Sequence, residues 1–171
     1  TPLYSSAASD VYKRQILNNL GGSFGIGRSV FSSDTIIGLK GRFVFEAPGI
    51  TILMSAHRAL EEAVLTDKQN LVKTQIGQEW VNLVYRGFYF EPLRENLEAF
   101  LLDSQKMVSG EVTLKLSPGS IDAVAVSSKN ILKSPEGEYA QSATWSESES
   151  KGFIKLIGQS TSTWASIHKK Q

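Results

Sequence analysis

Apolar positions change period along this chain, and the changes mark its elements. Ile16, Leu17 and Leu20 fall about one helical turn apart and meet Gly21-Gly22, which reads as the last turns of a helix with a glycine stop. A glycine-rich loop, Gly22-Ser23-Phe24-Gly25-Ile26-Gly27, follows and is closed by Arg28. The run Asp34-Thr35-Ile36-Ile37-Gly38-Leu39-Lys40 predicts a short buried strand. Gly41-Arg42 breaks it, Phe43 to Glu46 extends again, and Ala47-Pro48-Gly49 starts a helix. Leu53, Ala56, Leu60 and Val64 share a face of that helix, which is expected from Pro48 to about Leu65. Thr66-Asp67-Lys68-Gln69 has the spacing of a capping box, with a hydroxyl for one free N–H and a glutamine reaching back. The helix it opens continues through Ile76, Trp80, Leu83 and Val84 to Gly87. Glu91-Pro92 opens another, with Leu93, Leu97, Phe100 and Leu101 on one face.

From Gly110 the period falls to two. Val112, Leu114 and Leu116 alternate with Thr113 and Lys115, the pattern of a half-buried strand. Ser117-Pro118-Gly119-Ser120 turns the chain, and Ile121 to Val126 returns as the second strand of a hairpin. Residues 129–144 are polar and weakly patterned, which predicts a long loop. Ser146-Glu147-Ser148-Glu149 is a second capping box, leading to Phe153, Ile154 and Ile157; residues 158–171 form a tail with Trp164 as its large anchor and Ile167 three residues on. The fold class is therefore α+β: a helical middle segment packed with a strand from the glycine-rich stretch and a C-terminal antiparallel hairpin, then a C-terminal helix and tail. The first fifteen residues, TPLYSSAASDVYKRQ, have no periodic apolar face, and YSSAASDVYKRQ looks like translated adaptor sequence. The expected organisation is a non-native segment over 1–15, a domain over 16–157 and a tail over 158–171, with further native sequence before Ile16.

Composition narrows the function classes. The 171 residues are 41% hydrophobic and 20% charged, with no apolar run approaching a membrane span and no secretory leader at the start. A net charge of +1 gives no whole-chain electrostatic case for nucleic acid. Zero cysteines exclude disulfides, thiolate metal ligands and a cysteine nucleophile, and are compatible with the cytosol.

Candidate chemistry concentrates between Gly21 and Gly49. The glycine loop is followed by no Lys-Ser or Lys-Thr pair and lacks the dinucleotide spacing, so a tight helix-to-strand connection is the better reading. Arg28, Lys40 and Arg42 are close enough in sequence to hold a carboxylate or phosphate, and a structural salt bridge between Arg42 and Glu46 is an equal alternative. His57 reads as a boundary or core histidine, and His168 sits in a basic tail; neither a metal cluster nor a Ser-His-Asp set follows. Glu61-Glu62 reads as a solvated face, Glu147 and Glu149 as a helix start, and Trp80, Tyr85, Phe88, Tyr89 and Phe90 as core packing rather than base stacking.

Taken together, GIGR at Gly25 to Arg28, IIGLKGR at Ile36 to Arg42 and FEAPG at Phe45 to Gly49 closely resemble the C-terminal half of argininosuccinate synthase. Matching blocks follow in order: TIL and AHRALE between Thr51 and Glu61, LVYRGFYFEPLRE at Leu83 to Glu95, SQKMVSGEVTLKL at Ser104 to Leu116, and KGFIKL at Lys151 to Leu156. The resemblance, which covers Ile16 to about Ile157, implies a cytoplasmic ATP-dependent ligase of arginine biosynthesis. It would join citrulline to aspartate through a citrullyl-adenylate, releasing AMP and pyrophosphate. It further implies that ATP, with Mg2+, is bound by an N-terminal half whose Ser-Gly-Gly-x-Asp loop this chain lacks, and that this half supplies the citrulline pocket and homotetramer contacts. No catalytic residue is then expected in this chain, which would be inactive alone. By position the pocket residues are Ser33, Asp34, Lys40, Arg42 and Phe45. Two of them depart from the family pattern. Ser33-Asp34-Thr35 stands where a Glu-Asn-Arg run with a citrulline-contacting glutamate is usual, which shifts the carboxylate to Asp34. Phe45 replaces a tyrosine. Such changes fit a divergent, Bacteroidetes-like branch. The competing readings are a non-catalytic α+β assembly module that kept the fold and lost the pocket and, more weakly, a stand-alone hydrolase.

Overall fold

The computed structural model describes residues 7–133 and 145–169, with backbone alone for 7–10. It is mixed α+β and mostly helical, as the periodicities predict. The elements are α1 (Ala7–Ser23), β1 (Arg28–Asp34), β2 (Lys40–Glu46), α2 (Pro48–Val64), α3 (Asp67–Tyr85), α4 (Pro92–Ser104), β3 (Glu111–Ser117), β4 (Ser120–Ser127), α5 (Glu147–Ile157) and α6 (Gln159–His168). The strands form two separate antiparallel hairpins, β1–β2 and β3–β4. The chain divides into two compact units, Thr1–Leu132 and Lys133–Gln171.

In the first unit α2 is the hub, touching α1, α3, β3 and β4. Its buried side is Gly49, Ile52, Leu60, Glu61 and Val64. Ile52 thus takes the place expected of Leu53, which is exposed. With Ile26 and Leu65, the residues Ile52, Leu60 and Val64 make up the buried apolar set among the described residues, a small core. Pro48 opens α2 at a position where its missing N–H costs nothing. Ala47, the N-cap residue, has no side chain able to cap, and the first free amide, Gly49 N–H, donates instead to Asn18 Oδ1 of α1 at 2.8 Å. That bond requires close approach. A methyl at Gly49 would stand 2.7 Å from Asn18 Oδ1, and one at Gly21 would stand 2.8 Å from Pro48 Cβ and 2.9 Å from Ile52 Cδ1.

The buried strand expected over Asp34–Lys40 is instead the tip of a hairpin. β1 pairs with β2 in unbroken register from Arg28↔Glu46 to Asp34↔Lys40, and residues 35–39 form the turn. Thr35 N–H donates to Leu39 O at 2.7 Å and Gly38 N–H to Thr35 O at 2.8 Å. Gly38 has φ +81°, a left-handed conformation unfavourable to any residue with a Cβ. Ile36, Ile37 and Leu39 are apolar but exposed, which is why an apolar run misleads here. Phe43 to Glu46 does extend, as the second half of β2.

Farther on, α3 starts at the expected Thr66–Gln69 capping box and ends at Tyr85, short of Gly87. Ile76, Trp80, Leu83 and Val84 are half-buried, whereas Tyr85, Phe88, Tyr89 and Phe90 are exposed, Phe90 at 91%. Core packing fails for those four because the α3–α4 connection turns outward; Arg86 lies over the Phe88 ring and Arg94 over Tyr89. On α4, Leu97 and Leu101 are half-buried, but Leu93 and Phe100 are exposed and Arg94 is buried, ion-paired with Glu98 and Glu95. β3 keeps the predicted alternation, and its pairing with β4 shifts register between Thr113 and Leu114. Of the loop expected over 129–144, residues 134–144 lie outside the described residues. Within its first part, Leu132 N–H donates to Ala63 O at 2.9 Å.

In the second unit, α5 starts at its capping box, with Ser146 and Glu149 each bonding the other's backbone N–H. The expected tail is helical as α6, where Trp164 stacks on His168 at a ring separation of 4.2 Å. No helix among the described residues is long and apolar enough to cross a membrane.

The close approach of α1 to α2 yields a paired prediction. Gly21→Ala should destabilise the chain by about 1–3 kcal/mol through overpacking, despite alanine's higher helix propensity. Gly22→Ala, whose methyl would meet nothing within 4 Å, should be neutral or stabilising by up to about 1 kcal/mol. Urea unfolding of both variants checks the contrast, and equal effects would refute the packing account.

Candidate functional site

Antiparallel register sorts the β1–β2 hairpin into two faces, because directly paired residues project to the same side and neighbours alternate. One face carries the pairs Arg28/Glu46, Val30/Val44, Ser32/Arg42 and Asp34/Lys40. The other carries Ser29/Phe45, Phe31/Phe43 and Ser33/Gly41. The five sequence-predicted site residues therefore divide. Asp34, Lys40 and Arg42 share the charged face, while Ser33 and Phe45 share the aromatic face with Phe31 and Phe43 between them. A methyl at Gly41 would stand 2.7 Å from the Phe43 ring, so Phe43 leans over the rung that holds Ser33.

On the charged face Asp34 is already engaged: Lys40 Nζ lies 2.7 Å from its Oδ1. Arg28 Nε holds Glu46 Oε1 at 2.8 Å, so Arg28 takes the carboxylate that was one expected partner of Arg42. Both pairs are exposed, and each contributes at most about 1 kcal/mol. Arg42 stands opposite Ser32, between two neutralised pairs.

The glycine loop holds no phosphate cradle. Phe24 N–H and Ile26 N–H both donate to Gly21 O, and Gly25 N–H donates to Gly22 O, so these amides are spent within the turn. The loop is the tight helix-to-strand connection expected of it. At its end Gly27, with φ +75°, accepts from Ala47 N–H at 2.9 Å and closes the base of the hairpin.

A second polar cluster lies under α2. Glu61 is only 8% exposed, and its Oε1 receives His57 Nε2 at 2.9 Å, Lys73 Nζ at 2.7 Å and Gln105 Nε2 at 2.8 Å. The solvated-face reading holds for Glu62, which pairs with Arg58 on the surface, and fails for Glu61. His57 is exposed rather than a core or boundary residue, and it serves Glu61 from one turn earlier on the same helix. Burial is the strongest single influence on the Glu61 carboxyl and pushes its pKa up. Hydrogen bonds from Lys73 and Gln105, with the charges of Lys73 and His57, together outweigh burial and hold it below the ordinary 4.5. A groove of about 970 Å³ opens beside the cluster, lined among others by Thr51, Ser55, Arg58, Asn70 and Thr74. Its position next to Val64 on the apolar stripe was the available signal for the burial of Glu61. Nothing local marked Lys73 or Gln105 as its partners. Among the described residues no three His, Asp or Glu side chains are grouped so as to hold a metal ion.

The profile of the Arginosuccinate synthase C-terminal domain matches residues 4–164. The chain belongs to this family. It is 52% identical over 153 residues to the argininosuccinate synthase of Xanthomonas campestris pv. campestris, covering 90% of this chain and 38% of that protein. It is 52% identical to the argininosuccinate synthase of Xylella fastidiosa over the same share of each chain. With the argininosuccinate synthase of Chlorobaculum tepidum it shares 36% over 156 residues, 91% of this chain and 39% of that protein. The chain thus spans under two-fifths of the length of these curated relatives. As an Arginosuccinate synthase C-terminal domain, it presents two polar regions of different kind: an exposed hairpin with segregated faces and a buried carboxylate tying α2 to α3 and to Gln105 at the end of α4.

The buried cluster predicts a pH dependence. Because Glu61 has a lowered folded pKa, its stabilisation is present above pH 4.5 and is lost as pH falls through the folded value. Lys73→Met leaves the carboxylate buried without its cation and should cost roughly 3 kcal/mol, with acid unfolding beginning at higher pH. Lys40→Met, which breaks the exposed Asp34 pair, should cost less than about 1 kcal/mol. Circular dichroism between pH 2 and 7 separates the two.

Proposed function

We propose that this chain is the citrulline-binding and oligomerisation part of a cytoplasmic ATP-dependent ligase of arginine biosynthesis, which condenses citrulline with aspartate to argininosuccinate, releasing AMP and pyrophosphate. The family membership supports the ligase, and the observation that carries the citrulline assignment is the aromatic face of the hairpin. Ser33 and Phe45, the positions that the resemblance aligns with the citrulline-contacting glutamate and tyrosine, project to the same side. In this reading they meet the substrate, with Phe31 and Phe43 excluding water between them. Asp34, which Lys40 holds on the opposite face, closes the hairpin tip instead of replacing the glutamate. Arg42 remains for a carboxylate that approaches the charged face.

ATP and Mg2+ do not fit the described residues. The glycine-loop amides are spent within the turn, and no carboxylate group is arranged around a cation. In this reading both are held by the part of the ligase that this chain does not span. This chain's contribution is to bind and orient citrulline, and none of its residues is assigned a catalytic step.

A specific observation favours the assembly role beside it. α5 exposes Phe153, Ile154, Leu156 and Ile157, and α6 exposes Trp164 and Ile167, so the second unit carries apolar surface of the kind buried between subunits. We assign this surface to homotetramer contacts. A non-catalytic assembly module would keep this surface and ignore citrulline.

Two experiments follow. The first joins this chain to the part of the Xanthomonas campestris relative that it does not span. In that ligase Phe45→Tyr should lower the citrulline KM about fivefold by adding a hydrogen bond, and Asp34→Ala should leave it within about twofold. An inverted pattern would move the site to the charged face, and no effect of either would favour the assembly module. The second deletes residues 158–171 from the same protein. Light scattering should then report a smaller assembly; an unchanged mass at matched concentration would remove α6 from the interface.

A further inference from the structure

The hairpin that carries Ser33 and Phe45 has no floor. Among the described elements, β1 and β2 make their substantial contacts with one another, and the residues of both are exposed apart from half-buried Gly41. Its direction is therefore set where it joins the helices. Two hydrogen bonds act at that joint. Ala47 N–H donates to Gly27 O at 2.9 Å, fixing the exit of β2 to the entry of β1. Gly49 N–H donates to Asn18 Oδ1 at 2.8 Å, fixing the start of α2 to α1. Pro48, between them, has no N–H to offer. The two amides that flank Pro48 are thus tied to two different parts of the chain; the second reaches across to α1, while Ala47 O is held within α2 by Thr51 N–H and Thr51 Oγ1.

No local group can substitute for that second bond. The N-cap residue is Ala47, which makes no side-chain bond to the helix. The geometry also leaves no room for drift, since the atom that a side chain at Gly49 would strike is Asn18 Oδ1 itself, at 2.7 Å. A small rotation here is amplified along the hairpin. A seven-residue strand reaches roughly 20 Å from the joint, so a tilt of about 10° moves its tip by roughly 3 Å. Displacements smaller than that matter for a reacting substrate.

We propose that Asn18 is a positioning residue for the hairpin: its side-chain bond to Gly49 N–H holds the angle between β2 and α2 and so places Ser33 and Phe45. Its functional meaning rests on the citrulline reading above, but the geometric claim does not. Asn18 touches no substrate and acts only through the joint.

The test compares Asn18→Ala with Asn18→Asp, which keeps an acceptor at the same reach and suits a helix N-terminus. Residual dipolar couplings are measured on the 171-residue chain, without citrulline. In Asn18→Ala the couplings of residues 29–45 should leave the alignment frame shared by α2, α3 and α4, while the cross-strand bonds of the hairpin persist. In Asn18→Asp they should return to it. Protection of the Gly49 amide from hydrogen exchange should fall about fivefold in the alanine variant alone. A merely structural cap would lower the melting temperature and leave the hairpin couplings in the original frame, and that result overturns the proposal. Should Asn18→Ala fail to fold, Asn18→Ser, whose shorter side chain cannot span the gap, gives the same comparison. In the joined ligase, Asn18→Ala should raise the citrulline KM about tenfold, with the ATP KM within about twofold and recovery in Asn18→Asp. Equal rises for both substrates would show general damage and overturn the positioning role. Because the couplings contain no citrulline, failure of the citrulline reading would leave them unmoved and is distinguishable from failure of this one.

Discussion

The structure depends on how closely α1 can approach the first turn of α2. α2 is in turn the element against which α1, α3, β3 and β4 are arranged, while α4 packs on α3. Two glycines permit the approach, Gly21 on α1 and Gly49 on α2, and Asn18 satisfies the Gly49 amide there. The contact replaces a local solution with a tertiary one. A serine or aspartate at the N-cap would satisfy the helix end wherever α1 lay, whereas an alanine leaves the amide to a group 31 residues away in sequence. Capping and orientation have thus become one interaction, while Thr51 N–H and Thr51 Oγ1 close the first turn of α2 locally on Ala47 O. That coupling suits a fold whose buried apolar set is small, because one well-placed polar bond fixes an angle that loose apolar packing would leave soft.

Glu61 solves the opposite problem, how to join α2 to α3 and to the end of α4 without more apolar surface. Its carboxylate brings a desolvation cost that only full pairing offsets. Three groups meet it at Oε1: histidine from its own helix, lysine from α3, and the amide of Gln105 at the C-cap of α4. Such a node contributes little net stability relative to an apolar core of the same volume, but it is intolerant of partial assembly. The two polar joints, Asn18–Gly49 at one end of α2 and Glu61 near the other, bracket the short run of buried Ile52 and Leu60 between them.

The helices and the β3–β4 hairpin were legible because their signals are local. Capping boxes at Thr66 and Ser146 specify their own bonds, and alternation over Val112 to Leu116 specifies its own face. The glycine-rich stretch was not, for a physical reason. An apolar run such as Ile36-Ile37-Gly38-Leu39 carries the same pattern whether it is buried or held at a turn, and only the pairing of Arg28–Asp34 with Lys40–Glu46 decides. Strand β1, with serines at three of its seven positions, gave no alternation to read. The same blindness extends to the two faces of the hairpin. Ser33 and Asp34 are neighbours in sequence and therefore look interchangeable as carriers of one polar contact, yet adjacent strand residues face opposite ways. The exposed aromatics from Tyr85 to Phe90 misled differently. Their composition suggests a core, but residue type fixes what would be favourable to bury and not whether a partner surface is present.

In the proposed reading, the two departures from the family pattern, Ser33 and Phe45, fall on one side of that alternation. Had they fallen on opposite faces, each would be an independent change to a different surface. Ser33 and Phe45 share a face, which presents three phenylalanine rings flanked by serines. The opposite face keeps its charge in two closed ion pairs and one remaining guanidinium at Arg42. The hairpin has therefore segregated its chemistry. A ligand on the aromatic face would meet rings and hydroxyls but no formal charge. A carboxylate is drawn to the other face, where Arg42 has no cross-strand acid opposite it. Substitutions confined to one face of a two-stranded ribbon can change what it binds there without disturbing the pairs that hold the ribbon together, and the ribbon's base is held separately by the bonds at Gly27, Ala47 and Gly49.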